Sequence, residues 1–93
     1  MNATSASAPR VTLYGRPGCH LCDEAREVLL ALRAEGMRFQ LRELNIEDDE
    51  RLLRVHLERI PVIEIDGSEV SQLAPDAGAL RAALSARSVV SGP

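Results

Sequence analysis

The feature that most constrains this 93-residue chain is its only pair of cysteines, Cys19 and Cys22, which stand between two different apolar patterns. The short run Val11–Tyr14 before them is β-branched and aromatic and is followed by Gly15, which is typical of a buried strand. From about His20 the apolar residues recur at helical spacing instead. The cysteines therefore lie on a predicted strand–loop–helix junction, the usual place of a dithiol redox site.

Three further segments have the composition of strands: Arg38–Leu44, Pro61–Ile65 and Ser68–Leu73. Asp66-Gly67, between the last two, is a strong signal for a β-hairpin, which makes that strand pair antiparallel. The first strand, helix and second strand form a βαβ unit, which requires a parallel pair with a right-handed crossover. We therefore expect an α/β domain of order βαβαββα, in which helices flank a mixed four-stranded sheet.

Two more helices complete the prediction. The second follows Asn45, a favourable N-cap, and the acidic run 47–50 suits its positive N-terminal end. Its apolar side is expected to contain Leu52, Leu53, Val55 and Leu57. For His56, near its end, we expect a structural or helix-dipole role. The third helix is predicted to open at Pro75, with Asp76 beside it.

Length and composition indicate one domain, residues 10–87, with a disordered leader (1–9) and a flexible tail (88–93). A net charge of −3 and a near absence of aromatic residues disfavour binding to nucleic acid. No apolar run approaches the roughly 20 residues that span a bilayer, and residues 1–9 lack the apolar centre of a secretory signal. We therefore expect a cytoplasmic monomer with no membrane partner, in a compartment where protein disulfides are usually transient and catalytic.

A helix that begins near Cys19 makes the two thiols inequivalent. Residues three apart on one helical face have Cα atoms about 5–5.5 Å apart, within the range of about 4.4–6.8 Å that a disulfide accepts. Cys19 would lie exposed at the N-terminal end, where unpaired N–H groups, Arg16 and a charged His20 favour its thiolate. Cys22, one turn later on the apolar stripe, would be shielded. We expect Cys19 to attack a disulfide and Cys22 to resolve the intermediate.

Other interpretations of the pair remain open. It could be half of a zinc site, but zinc needs four ligands and only His20 and His56 are left as further candidates. The thiols could also be incidental, in a binding module or scaffold whose cysteines do not cycle. A carrier of a metal or an iron–sulfur cluster, shared across a dimer, is a third alternative.

From Arg10 to Leu84 the chain resembles the glutaredoxins of the thioredoxin superfamily. It is most similar to small glutaredoxin-like proteins that share the opening Tyr-Gly-x-Pro-Gly-Cys-x-Leu-Cys. The resemblance implies a thioredoxin-like fold, in which Cys19 is the nucleophile, Cys22 resolves, and a cis Pro61 faces the dithiol. It also implies that Arg16, the basic residue three before the first cysteine, contacts the glycine carboxylate of glutathione.

The chain also departs from the family pattern. His20-Leu21 replaces the usual Pro-Tyr between the cysteines, and Arg59-Ile60-Pro61 replaces Thr-Val-Pro. With a cis bond at Pro61, we expect the backbone of Ile60 to be left unpaired and to bind an extended substrate. Residues 73–76 replace the Gly-Gly-x-Asp that holds the γ-glutamyl end of glutathione, so only Asp76 remains for that role.

The function that we expect is therefore thiol–disulfide exchange, with no metal and no bound cofactor. Its partners would be a disulfide-containing protein or a small thiol substrate, together with a thiol or flavoprotein reductant. Glutathione is one candidate co-substrate. A thioredoxin-fold binding module that does not cycle is the alternative.

Overall fold

The computed structural model describes residues 8–90, and the side chains of residues 8–87. Its elements are β1 (Arg10–Gly15), α1 (His20–Ala34), β2 (Gln40–Asn45), a 3₁₀ turn (Ile46–Asp48), α2 (Glu50–His56), β3 (Val62–Ile65), β4 (Ser68–Gln72) and α3 (Ala77–Val90). The strands form one four-stranded sheet. The predicted α/β class and the order βαβαββα are confirmed.

The sheet has the strand order β2-β1-β3-β4, with β1 parallel to β2 and antiparallel to β3. The β3–β4 hairpin turns at Asp66 and Gly67, whose φ angles of 52° and 85° suit a tight hairpin turn. In the β1–β3 register Tyr14 pairs with Val62. The loop that follows Gly15 and the segment that precedes β3 therefore lie at the same end of the two central strands.

The larger core lies between one face of the sheet and helices α1 and α3. Its buried members come from β1, β3, both helices and the segment before β2: Val11, Leu13, Ala25, Leu29, Leu32, Phe39, Ile63, Ile65, Leu80 and Leu84. Each aliphatic side chain that is fully buried contributes about 1.5–3 kcal/mol relative to an exposed one. This core fixes α1, and with it the first turn that carries the cysteines, against β1.

A smaller core lies on the opposite face of the sheet, under α2. Tyr14, Ile46 and Val62 are its buried members, and the ring of His56 stacks on that of Tyr14 with 4.5 Å between centroids. His56 is buried, whereas Val55 and Leu57 are 58% and 43% exposed. The prediction that Val55 and Leu57 belong to the apolar side was therefore wrong. The structural role expected for His56 agrees with its burial against Tyr14.

The helix caps differ from the predicted ones in one case. The Asn45 side chain accepts the N–H of Glu47 at 2.9 Å and so caps the 3₁₀ turn rather than a helix. α2 is capped by Asp49, whose carboxylate accepts the N–H of Arg51 at 2.8 Å. The predicted cap was wrong because a short turn separates β2 from α2.

The described residues include a few on either side of residues 10–87. Pro9 is buried, and its carbonyl accepts the N–H of Gln40 at 2.9 Å, while α3 continues to Val90. The rest of the predicted leader (1–7) and of the predicted tail (91–93) lies outside the described residues. Within residues 8–90, no helix has the length and apolar character needed to cross a membrane.

Candidate active site

Cys19 and Cys22 form a disulfide at the N-terminal end of α1, with Cα atoms 5.2 Å apart. Cys19 is the N-cap residue, with an extended backbone, and its Sγ accepts the N–H of Cys22 at 3.1 Å. Cys19 is partly exposed, whereas Cys22 is only 3% exposed. Cys19 is therefore partly open to solvent, whereas Cys22 is enclosed by the protein.

Gly15, the last residue of β1, lies directly behind the enclosed sulfur. A Cβ added to Gly15 would lie 2.9 Å from the Sγ of Cys22. Gly15 was predicted only to end a strand, and this contact was not predicted. The available signal was a glycine at the end of a buried strand, where a close approach of another group is one common reason for glycine.

A pocket of about 280 Å³ adjoins Cys22 on the side of β2. Arg26 lies in its wall and bridges two carboxylates, donating to Asp23 at 3.0 Å and to Glu43 at 2.8 Å. The hydrogen bonds to Glu43 and then Asp23 raise the pKa of Arg26, so this guanidinium stays charged. Cys22, the buried cysteine of the disulfide, therefore adjoins a pocket with a polar wall, in which the carboxylates of Asp23 and Glu43 both bind the guanidinium of Arg26.

Two predicted site residues close to Cys19 in the sequence contact carboxylates. Arg16 is exposed, and its Nη1 lies 3.8 Å from a carboxylate oxygen of Glu47. His20 is also exposed, and its Nε2 lies 3.0 Å from a carboxylate oxygen of Glu24 one turn along α1. Arg16, three residues before Cys19, and His20, directly after it, therefore both have acidic neighbours.

The Ile60–Pro61 peptide bond is cis, and Pro61 is buried at the start of β3. The N–H of Ile60 donates to the carbonyl of His56 at 3.1 Å. The expectation that the Ile60 backbone is unpaired was therefore wrong for its N–H, because the C-terminal end of α2 reaches it. Pro61 contributes its carbonyl, which accepts the N–H of Leu73 at 3.0 Å.

Arg59, the residue before Ile60, is held by β4. Its Nε donates to Gln72 at 2.9 Å, and its guanidinium forms an ion pair with Glu69. Its carbonyl accepts the N–H of Leu73, which has a left-handed φ of 63°. These contacts join the segment before β3 to the end of β4, so the chain around Pro61 is fixed from both sides.

Asp76 begins α3. Its Oδ1 accepts the N–H of Ala79 at 3.0 Å, and its carbonyl accepts the N–H of Leu80 at 3.0 Å. It therefore acts as the N-cap of α3, and any contact with a γ-glutamyl group stays a prediction. No group of three or more His, Cys, Asp or Glu side chains within residues 8–87 is arranged to hold a metal ion.

The fold and the cysteine pair define a protein of the thioredoxin superfamily. The chain matches the family model of the glutaredoxin-like domain (DUF836) over residues 10–85, and it belongs to that family. The resemblance inferred from the sequence is confirmed.

Two solved structures are similar in both fold and sequence. Protein Ne2328 from Nitrosomonas europaea is 31% identical, with a TM-score of 0.73 over 82% of this chain and 91% of that one. Protein XcR50 from X. campestris is 39% identical, with a TM-score of 0.67 over 82% of this chain and 96% of that one.

Thioredoxins share the fold at lower identity. A mutant thioredoxin from Halobacterium salinarum is 17% identical, with a TM-score of 0.65 over 94% of this chain and 80% of that one. At this identity the likeness shows the fold alone. No curated protein matches the chain significantly.

Proposed function

We propose that this protein is a small thiol–disulfide oxidoreductase that reduces disulfides in proteins, or mixed disulfides with glutathione, through Cys19 and Cys22. The observation that carries the proposal is the disulfide at the start of α1, in which Cys19 is partly exposed and Cys22 is only 3% exposed. Thiol–disulfide exchange begins when an accessible thiolate attacks a disulfide and forms a mixed disulfide. A second thiol, shielded inside the same protein, can then resolve that intermediate.

The proposed reaction has two displacements. The Cys19 thiolate attacks a substrate disulfide R–S–S–R′, which forms a Cys19–S–S–R bond and releases R′–S⁻. The Cys22 thiol loses its proton to water or to the released thiolate, and its sulfur then attacks Cys19, releasing R–S⁻. The pair gives two electrons to the substrate and becomes the disulfide. A thiol or flavoprotein reductant returns two electrons and completes the cycle.

The start of α1 supports the first displacement. The first N–H groups of a helix lack intrahelical partners, and the helix dipole adds a partial positive charge there. The N–H of Cys22 already points at the Cys19 sulfur. Such a bond is about twice as strong to an anion as to a neutral acceptor, so this geometry favours the thiolate over the thiol.

Arg16, His20, Ile60, Pro61 and Asp76 are proposed to contact the substrate. Arg16 and His20 lie on either side of Cys19 in the sequence, and Ile60 and Pro61 precede β3 at the end of the sheet where the loop that carries Cys19 leaves β1. An extended substrate would contact the polar side chains of Arg16 and His20 on one side and the backbone of Ile60 and Pro61 on the other. Glutathione is proposed only as a co-substrate, and the protein is proposed to act as a cytoplasmic monomer.

The test is the reduction of insulin disulfides, coupled either to glutathione and its reductase or to a thioredoxin reductase system. We expect turnover with at least one reductant, and loss of all turnover in Cys19→Ser. Leu30→Ala is a matched control, because Leu30 lies on α1 and is 47% exposed. No turnover with either reductant, or full activity of Cys19→Ser, would contradict the proposal and favour a binding module whose cysteines do not cycle.

A further inference from the structure

Resting on the proposed exchange reaction, we infer that Gly15 is a positioning residue for the resolving sulfur. The space left by its missing side chain allows Cys22 to close the disulfide on Cys19. In this inference Gly15 takes no part in bond making, and it acts only through the position that it leaves open for the Cys22 sulfur.

The contact is too close for any side chain. An added Cβ on Gly15 would lie 2.9 Å from the Sγ and 3.1 Å from the Cβ of Cys22. Non-bonded carbon atoms are at their optimal separation at about 3.5–4.0 Å, and sulfur is larger than carbon. An alanine at this position would therefore have to displace Cys22, or β1 would have to move.

Neither side can move at low cost. Cys22 lies in the first turn of α1, which is fixed by the buried residues Ala25 and Leu29. Gly15 ends the central strand β1 and pairs with Asn45 of β2. Close-packed interiors respond to even one extra methyl group, and forcing one in displaces side chains from their rotamers.

The glycine is not required by its backbone angles. Among the described glycines, Gly18, Gly36 and Gly67 have a positive φ, and Gly15 is not one of them. Its conformation is that of an ordinary strand residue, which alanine can adopt. The property that matters at position 15 is therefore the absent volume, and the atoms nearest to that volume are the sulfur and Cβ of Cys22.

This placement affects the two displacements differently. The closing step forms the Cys22–Cys19 bond, breaks the Cys19–substrate bond and releases the substrate thiolate, and it requires the Cys22 sulfur at the position against Gly15. In the dithiol the same sulfur is no longer bonded to Cys19, so rotation about χ1 can relieve the 2.9 Å contact, whereas the 3.1 Å contact with the Cβ of Cys22 is the same in both states. A methyl group at position 15 therefore disfavours the disulfide relative to the dithiol, and it slows closure while leaving the attack by Cys19 unchanged.

The experiment compares Gly15→Ala with Gly78→Ala, a control whose added Cβ meets its nearest atom, Oδ1 of Asp76, at an ordinary 3.5 Å. Each protein is equilibrated against reduced and oxidised dithiothreitol. We expect Gly15→Ala to lower the equilibrium constant for disulfide formation at least tenfold, and Gly78→Ala to change it less than twofold. The rate of alkylation of Cys19 should change less than twofold in both, which separates positioning from a general loss of structure.

A second measurement covers poor folding of Gly15→Ala. Denaturant unfolding is measured for the oxidised protein and for Cys22→Ala, each with and without Gly15→Ala. We expect Gly15→Ala to lower the unfolding midpoint of the oxidised protein at least twice as much as it lowers that of Cys22→Ala. The reason is that Cys22→Ala removes the sulfur, which is the atom nearest to the added methyl group.

Equal losses in the two backgrounds, or an equilibrium constant of Gly15→Ala within twofold of the wild type, would overturn the inference. Neither measurement requires turnover of a substrate, so both give an answer even if the protein reduces no substrate. A failure of the proposed function and a failure of this inference are therefore distinguishable.

Discussion

The Sγ of Cys19 accepts the backbone N–H of Cys22 at 3.1 Å, so the sulfur proposed to attack the substrate also caps the helix that carries its partner. The contact uses one of the N–H groups that a helix leaves unpaired at its start. The Cys19 sulfur is therefore expected to affect both the stability of α1 and the rate of disulfide exchange, and substitutions at Cys19 should separate the two effects.

Cys19→Ser and Cys19→Ala should both abolish exchange, yet they should differ in stability. Serine is a favourable N-cap and alanine is a poor one, a difference of about 1 kcal/mol in the free energy of unfolding. Urea unfolding of the two variants measures this difference, and neither variant can form the Cys19–Cys22 disulfide. Equal stabilities would contradict a capping role for the side chain at position 19.

Asp76 offers a similar test of a cap against a substrate contact. Because its Oδ1 caps α3, Asp76→Ala should lose about 1 kcal/mol of unfolding free energy, while Asp76→Asn should lose much less. The asparagine variant keeps the cap and removes the charge, so its rate with a glutathionylated peptide measures the proposed contact. A stability of Asp76→Ala equal to that of the wild type would contradict the cap.

The ion pair between Arg16 and Glu47 should affect substrate charge preference more than stability. Both side chains are about half exposed, and exposed pairs contribute about 0–1 kcal/mol. Arg16→Gln should slow attack on oxidised glutathione, an anion, by several-fold at low salt, and Glu47→Gln should accelerate it. Salt should reduce both effects, because exposed charges are screened within about 10 Å at 0.1 M.

The matched control for that prediction is Arg81→Gln. Arg81 of α3 is about as exposed as Arg16 and pairs with Glu35, the C-cap residue of α1 at the end opposite to the cysteines. Its loss should leave the rate with oxidised glutathione unchanged. If Arg16→Gln and Arg81→Gln slow the reaction equally, the effect comes from net charge, and the local role of Arg16 is wrong.

Tyr14 should titrate at higher pH than a free tyrosine. Burial, and then its hydrogen bond to Glu64 at 3.0 Å, raise its pKa above 10.0. A raised pKa means that the folded state holds this proton more tightly. Its stabilising contribution is therefore fully present below the unfolded pKa and is lost as pH rises through the folded pKa.

Tyr14 is the only tyrosine and the chain has no tryptophan, so near-ultraviolet tyrosinate absorbance reports this residue alone. Glu64→Gln should lower the pKa of Tyr14 towards the ordinary value. Unfolding free energy above pH 10 should fall in the wild type and fall less in Tyr14→Phe. A native titration at or below the ordinary tyrosine value would contradict the buried hydrogen bond.

The elements of the fold were predictable because they depend on local patterns. The hairpin at Asp66-Gly67, the helical spacing after His20 and the strand before Gly15 each follow from residues that are close in sequence. The cysteine pair was predictable for the same reason, since its spacing and its position at the start of a helix are local properties.

The errors concern contacts that the pattern of residues along a single element does not show. His56 is buried in place of Val55 and Leu57 because its ring meets that of Tyr14, which a count of apolar residues along α2 cannot show. The N–H of Ile60 is not free, because α2 ends beside it and the carbonyl of His56 accepts its hydrogen bond. The role of Gly15 is likewise set by a side chain seven positions later, across a loop.

The central claim is that Cys19 and Cys22 of one chain cycle between dithiol and disulfide. The most direct measurement is a redox titration in buffers of defined potential, followed by acid quenching, alkylation and mass spectrometry of the cysteine peptide. We predict one two-electron transition that includes both residues, with a midpoint between about −270 and −120 mV, the range from thioredoxin to the strongly oxidising dithiol proteins. Two cysteines that are alkylated at every potential in that range, or that oxidise only between chains, would contradict the account.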